Sequence, residues 1–292
     1  MTKPNYNYRI FADAAIDIDE AYIKSGDITI MPVKCYLSSY EMEITGHESE
    51  TEINKIYARQ RNGELTRTTS LTAEDFIKMF EPLVRHGLGV LYISISSALS
   101  DAFEEAKKAQ MIMERKYGKI PMCIVNTLSA TGGFGIAAER AIKNKNLGMD
   151  LESNAKDVYK MSGHIKSWFY VNDLEYLRKN GKTSAGKSII GTLLGIKPIM
   201  EVSPDGALRQ IDKKFGAKKA CEVLKDLYME NGQSDSGSNV YITHSDDYES
   251  ALRLKKMILS SDPNVNIKIK TLSPIIGANT GAGIISLHHY HS

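Results

Sequence analysis

Cysteine is nearly absent from this chain. Its 3 cysteines in 292 residues, Cys35, Cys123 and Cys221, form no CxxC pair. That count excludes a disulfide framework and a cysteine-built metal knuckle, and scattered free thiols fit a reducing, cytoplasmic setting. An excess of one charge is missing too. The 37 Lys and Arg face 35 Asp and Glu, for a formal net charge of +2, so nothing calls for a nucleic acid or another polyanion. No uncharged apolar run approaches the ~20 residues of a membrane-spanning helix, and the opening Met1–Asn7 lacks the apolar core of a signal peptide. Catalytic signatures are equally scarce. HExxH and GxSxG do not occur, and no histidine lies near a candidate serine. No metal, no cofactor and no base-activated nucleophile is therefore expected, and the chain does not read as an enzyme.

What the chain does have is an α/β rhythm, at a length that suits one large domain or two ordinary ones. A strand is predicted at Arg9–Asp13, a helix near 18–25, one long strand over Ile28–Leu37 and a short one over Glu41–Gly46. Helices over 50–62 and 73–85 flank a hydroxyl-rich loop, Thr66–Thr72. Leu88–Ile93 is an uncharged apolar run, the mark of a buried parallel strand. Ala102, Phe103, Ala106, Ala109 and Met113 then recur at helical spacing. Between them lies Ser94-Ile95-Ser96-Ser97-Ala98-Leu99-Ser100, with serine at four of seven positions. Serine is a preferred helix cap, but one would serve. Hydroxyls and free N–H groups where a strand ends and a helix begins favour an anionic ligand. A strand at Met122–Asn126, a Gly-rich turn and a helix over 131–143 follow. Residues 1–163 thus read as an α/β domain, a mainly parallel sheet flanked by helices. The Ser94 stretch, the Thr68 loop and the Asn126 turn should share one crevice beyond the strand ends.

After a helix over 151–163 the pattern changes, and residues 164–292 read as a second, α+β domain. His164–Val171 alternates as a half-exposed strand. Ile196–Ser203 and Leu208–Lys214 flank the turn Pro204-Asp205-Gly206 as a hairpin. Helices at 217–230 and 246–260 alternate with strands at 239–244 and 265–272. The closing His288-His289-Tyr290-His291-Ser292 has the residues to hold a metal, but a disordered or lightly packed tail is the cheaper reading.

Two phosphate-binding motifs match by letter alone. Gly181–Ser188 spells GxxxxGK[ST], which needs a buried strand directly before it; Asp173–Asn180 reads instead as a charged helix with Gly181 as its C-cap. Gly133–Ala138 spells GxGxx[GA], but Gly133 lies too far past Asn126 for the tight turn that brings backbone to pyrophosphate. Close helix–sheet packing explains those glycines more simply.

Several blocks together resemble the DegV family, fatty-acid-binding proteins that include the lipid-carrying subunits of bacterial fatty acid kinase. Ile95-Ser96-Ser97-Ala98-Leu99-Ser100 after an apolar strand looks like its Ile-Ser-Ser-x-Leu-Ser signature. Thr68–Thr72 is similar to its Thr-Ser-x-Pro-Ser loop, and Asn126–Gly135 to its Asp-Ser-x-x-x-Ser-x-Gly-x-Gly turn. Leu174–Ser184 resembles Leu-x-x-Leu-x-x-Gly-Gly-Arg-Ile, Gly191–Pro198 resembles Gly-x-Leu-Leu-x-Ile-Lys-Pro, and Ile276–Gly283 resembles Ile-Gly-x-His-x-Gly-Pro-Gly. The departures are specific. Asp13-Ala14-Ala15 stands for Asp-Ser-Ser, and Asp101-Ala102 for Gly-Thr. Lys182 replaces an arginine and loses its planar fork. Asn279 replaces a histidine and never carries charge.

The resemblance implies a DegV-like fold in which the N-terminal domain buries an acyl chain and the second domain closes the cleft holding its carboxylate. It implies head-group donors at Thr68, Thr69, Ser96, Ser97, Asn279 and Thr280. It further implies a monomeric, non-enzymatic carrier of a long-chain fatty acid, transient membrane contact, and a separate fatty acid kinase catalytic subunit that supplies ATP and magnesium. Two alternatives stay open: an enzyme acting on a small polar substrate in the cleft, and a nucleotide-binding protein using Gly181–Ser188.

Overall fold

The computed structural model describes residues 7–38, 40–172, 195–231 and 239–291. The segments Asp173–Asn180, Gly181–Ser188 with Lys182, and Gly191–Leu194 lie outside the described residues. The first half opens with β1 (Tyr8–Asp13), α1 (Glu20–Lys24), β2 (Thr29–Met31), β3 (Val33–Leu37), β4 (Tyr40–Ile44), α2 (Glu50–Arg61) and β5 (Thr66–Thr68). It continues with α3 (Ala73–Arg85), β6 (Gly89–Ser94), α4 (Ala102–Tyr117), β7 (Met122–Asn126), α5 (Thr131–Asn146) and α6 (Leu151–Ser162). Strands β2-β1-β6-β7 form an all-parallel sheet. Every residue of β6 is buried, as its uncharged run requires of a strand covered on both faces. Capping boxes, Ser49 with Glu52 and Thr72 with Asp75, satisfy orphan N–H groups and fix where α2 and α3 begin.

The single long strand expected over 28–37 is two strands in two sheets. Pro32, with no N–H to give a ladder, separates β2 from β3. β2 pairs with β1, whereas β3 turns away into a three-stranded sheet of order β4-β3-β5. That sheet captures Thr66–Thr68, expected to be loop, and seats Thr68 opposite Cys35.

The second half comprises β8 (Ile165–Tyr170), β9 (Ile196–Val202), β10 (Leu208–Phe215), α7 (Ala217–Glu230), β11 (Asn239–His244), α8 (Tyr248–Ser261), β12 (Asn266–Thr271), α9 (Pro274–Thr280) and β13 (Ile285–Tyr290). Its six-stranded sheet runs β10-β9-β8-β13-β11-β12, mixed in direction, with β9 and β10 forming the expected antiparallel hairpin. The closing histidines are a correction. Far from a loose tail, His288 and His289 are buried in β13, hydrogen-bonded between β8 and β11. Helix α5 packs on β11, β13 and β8 as well as on β1 and β6. Its glycines serve that packing: a Cβ on Gly135 would stand 2.2 Å from the Asp17 carbonyl, and one on Gly132 would stand 2.6 Å from the Tyr241 Cβ.

Candidate functional site

A pocket with about 1040 Å³ of empty space, part of it open to solvent, lies where the first sheet's strand ends face the second sheet. Its walls are apolar: Val33, Leu71, Ile95 and Leu99 from the first half, with Phe169, Leu208 and Ile276 from the second. Its rim is rich in hydroxyls. Thr68, Thr69 and Ser70 come from the end of β5 and the loop after it, Ser100 from the entry to α4, and Asn279 and Thr280 from the end of α9. Among the described residues no lysine or arginine lines it.

Each rim group is held by local structure. Thr69 Oγ1 accepts from Lys34 N–H at 3.1 Å while Thr69 N–H donates to Lys34 C=O at 3.0 Å, which fixes the loop to β3. Asn279 Nδ2 donates to Ile275 C=O and Thr280 Oγ1 to Ile276 C=O, both at 3.1 Å, one turn back along α9. Those bonds leave the Asn279 amide oxygen, one amide hydrogen and the Thr280 lone pairs available. The Thr68 hydroxyl bonds no other described residue.

The expected head-group residues divide. The structure brings Thr68, Thr69, Asn279 and Thr280 together on the pocket but does not place Ser96 or Ser97 in its lining. Ser96 is fully buried and its Oγ donates to Gly206 C=O at 2.9 Å, in the β9–β10 turn. Ser97 Oγ accepts from Asn126 Nδ2 at 2.7 Å. The anticipated crevice still forms, through Ile95, Leu99 and Ser100, the Thr68 loop, and Ala130–Thr131.

Sequence reasoning missed the polar residues Asp13, Thr131, Ser286 and His288, which also line the pocket. Asp13 is buried; Ile95 N–H (3.0 Å), Ala15 N–H (3.1 Å) and Tyr92 Oη (3.2 Å) all donate to it. Burial outweighs these bonds and raises its carboxyl to about 6. His288 is bonded at both ring nitrogens, Nε2 to Thr131 Oγ1 at 2.7 Å and Nδ1 to Ser167 Oγ at 2.8 Å. Burial, with His289 beside it, lowers His288 to about 3 and keeps it neutral. Ile284, Ile285 and Leu287, three apolar residues in the four before His288, were the signal that this end of the chain is a strand.

Comparison with known proteins decides the family. The sequence profile of uncharacterised proteins of the DegV family matches residues 7–291. This chain belongs to the DegV family. It is 29% identical over 278 residues to a DegV domain-containing protein of Clostridium perfringens, covering 95% of each chain. Its fold is that of a DegV-family protein from Ruminococcus gnavus refined with vaccenic acid, at a TM-score of 0.84, 19% identity, and coverage of 97% of this chain and 99% of that one. It also matches the B3 protein of Streptococcus pneumoniae fatty acid kinase loaded with linoleic acid, at a TM-score of 0.81, 18% identity, and coverage of 98% and 100%. The DegV resemblance of the short blocks therefore extends to the whole fold.

Proposed function

We propose that this DegV protein is a carrier that buries a long-chain fatty acid in the pocket and offers its carboxylate to a separate kinase. One observation carries the reading: an apolar pocket with a neutral, hydroxyl-rich rim, in a fold whose relatives were solved with vaccenic and linoleic acids. About 14 methylenes at about 0.8 kcal/mol each give on the order of 11 kcal/mol of gross burial. Association and ordering offset much of that. A carboxylate at the rim must then be met by donors, because an unpaired buried charge would cancel the gain. Thr68, Thr69 and Asn279 supply them; Thr280, also expected among the donors, can join only if its hydroxyl turns from Ile276 C=O to the ligand, while Ser96 and Ser97 position the loop that carries Leu99 and Ser100.

In this reading residues 1–163 form the lipid-binding unit and 164–292 close the head-group cleft. The protein acts in the cytoplasm as a monomer, meets the membrane transiently to load, and leaves ATP and magnesium chemistry to a fatty acid kinase catalytic subunit. A second reading, an enzyme acting on a small polar substrate, draws on Asp13 and His288 at the pocket. It is the weaker one, because hydrogen bonds already occupy both Asp13 oxygens and both His288 nitrogens.

Denaturing extraction of the purified protein with mass spectrometry tests the carrier. One fatty acid per chain is expected, with occupancy at least about ten-fold lower in Thr68→Ala and Asn279→Ala, as loss of bonds to a charged group predicts. An empty protein that also refuses added fatty acid would overturn the reading. Full occupancy in both variants would overturn the assigned rim.

A further inference from the structure

The head-group rim is assembled from both halves of the chain, and one buried side chain ties its two parts together. Thr68 and Thr69 come from the first half, at and just after the end of β5; Asn279 and Thr280 come from the second, in the last turn of α9. Gln60, in the last turn of α2 and 5% exposed, lies outside the pocket lining. Its amide nitrogen donates to Thr66 Oγ1 at 2.6 Å and to Gly277 C=O at 2.9 Å. Thr66 sits two residues before Thr68, so both project from the same face of β5. Gly277 sits two residues before Asn279. Its carbonyl also accepts from Gly281 N–H at 2.8 Å, the bond that closes the turn holding Asn279 and Thr280. One carboxamide therefore bridges β5 and α9, two residues away from the rim on either side.

Chemistry fixes the orientation of that amide. The Gly277 carbonyl only accepts, so the group facing it is the NH2. Gln60 Oε1 is then left buried without a hydrogen-bond partner. For stability alone this is a poor choice, since an apolar side chain of similar length would bury no unpaired oxygen. What glutamine adds is a fixed spacing, with one N–H spent on each half of the chain. The fit around it is tight. A Cβ on Gly277 would stand 2.4 Å from Tyr57 Oη, and Tyr57, three residues before Gln60, donates to Leu272 C=O at 2.7 Å, just ahead of α9. We propose that Gln60 is a positioning residue that sets the gap between Thr68 and Asn279, so that both reach one carboxylate, and thereby gives the pocket its preference for an ionised head group over a neutral one. This role rests on the carrier reading above. Burial of an acyl chain is non-directional, whereas hydrogen bonds weaken steeply with distance and angle. A shifted gap therefore costs the acid more than an alcohol with the same chain.

The test uses the delipidated full chain, loaded from an excess of an equimolar mixture of hexadecanoic acid and hexadecan-1-ol. Extraction with mass spectrometry then reads the bound acid-to-alcohol ratio. The parent should favour the acid. In Gln60→Met, which keeps the volume and removes both N–H bonds, the ratio should fall by about five-fold or more, the weakening of a charge-assisted hydrogen bond. Thr66→Val cuts one arm of the bridge while leaving the carboxamide on Gly277, and should lower the ratio in the same direction. Uptake of the alcohol offered alone should match the parent's in both. A parent ratio kept by the variants, even beside a lower melting temperature or lower total uptake, would overturn the role, because a purely structural residue affects both ligands alike. Should Gln60→Met fail to fold, Thr66→Val decides. A parent that takes up neither ligand would overturn the carrier reading and this role with it, a result distinct from an unchanged ratio.

Discussion

Asp13 places a carboxyl at an apolar pocket with three neutral donors and no cation among its bonds. With its folded pKa near 6, above the usual 3.8, the folded state holds the proton more tightly than the unfolded one. Its contribution to stability is therefore full below pH ~4 and lost as pH rises through about 6, on the order of 3 kcal/mol in all. His288 acts in the opposite sense. Its pKa is lowered to about 3, so the stability it confers is full above its ordinary 6.5 and is lost as pH falls toward 3. The two slopes offset each other between pH 4 and 6. Asparagine at position 13 removes one of them: the stability of Asp13→Asn relative to the parent should improve by about 3 kcal/mol between pH 4 and 7 in urea titrations. A difference that does not move with pH would mean Asp13 ionises normally. At this scale the sequence was legible where hydroxyls cluster with no local partner, as at Thr68 and Thr69. It was not legible at Ser96, because no local pattern shows that a hydroxyl is spent on a carbonyl 110 positions away.

That bond is also where one element docks on another. The turn between β9 and β10 brings Gly206 onto Ser96 at φ +79°, and a Cβ there would lie 2.1 Å from Ser96 Oγ. Two substitutions probe the contact from opposite sides. Ser96→Ala strands the Gly206 carbonyl in a buried site and should cost about 1–3 kcal/mol. Gly206→Ala adds left-handed strain to a direct clash and should cost at least as much, lifting the hairpin that carries the pocket residues Val202 and Leu208. Both should lower lipid occupancy without removing a head-group donor, and thermal melts beside extraction would show it. Normal occupancy in a destabilised Gly206→Ala protein would mean that the hairpin does not shape the pocket. Elements were legible where a single local device sets them, as with Pro204-Asp205-Gly206 or the capping box at Thr72. They were obscure where partners are distant: nothing near Pro32 says that β2 and β3 belong to different sheets.

At the scale of the whole molecule, α5 is the shared wall. Eleven of its residues are buried, including all from Thr131 to Ala138. Its second-half contacts are specific: Thr131 bonds His288, and Glu139 accepts from Tyr241 Oη and Asn239 Nδ2, both at 2.7 Å, and from Lys268 Nζ at 3.1 Å. Removing residues 164–292 would bare the Gly132 notch and Ile136 to water and leave Glu139 without those partners. The helix would keep its packing on β1, β6 and α6, and the apolar surface laid open has no substitute cover. The fragment ending near 163 should therefore lack fixed packing at this face even though its own cluster from Tyr8 to Val158 is within it. Expressed by itself, the 1–163 fragment should keep far-UV helical signal, lose near-UV dichroism and bind ANS, the behaviour of a chain that has collapsed without fixed packing. The full chain should unfold with near-UV and far-UV signals coincident, since two clusters, one with Tyr57 and Phe169 and one with Ile136 and Tyr241, join the cores of the two halves. A fragment with sharp near-UV bands and a cooperative melt would instead make α5 a surface helix that the second half merely covers.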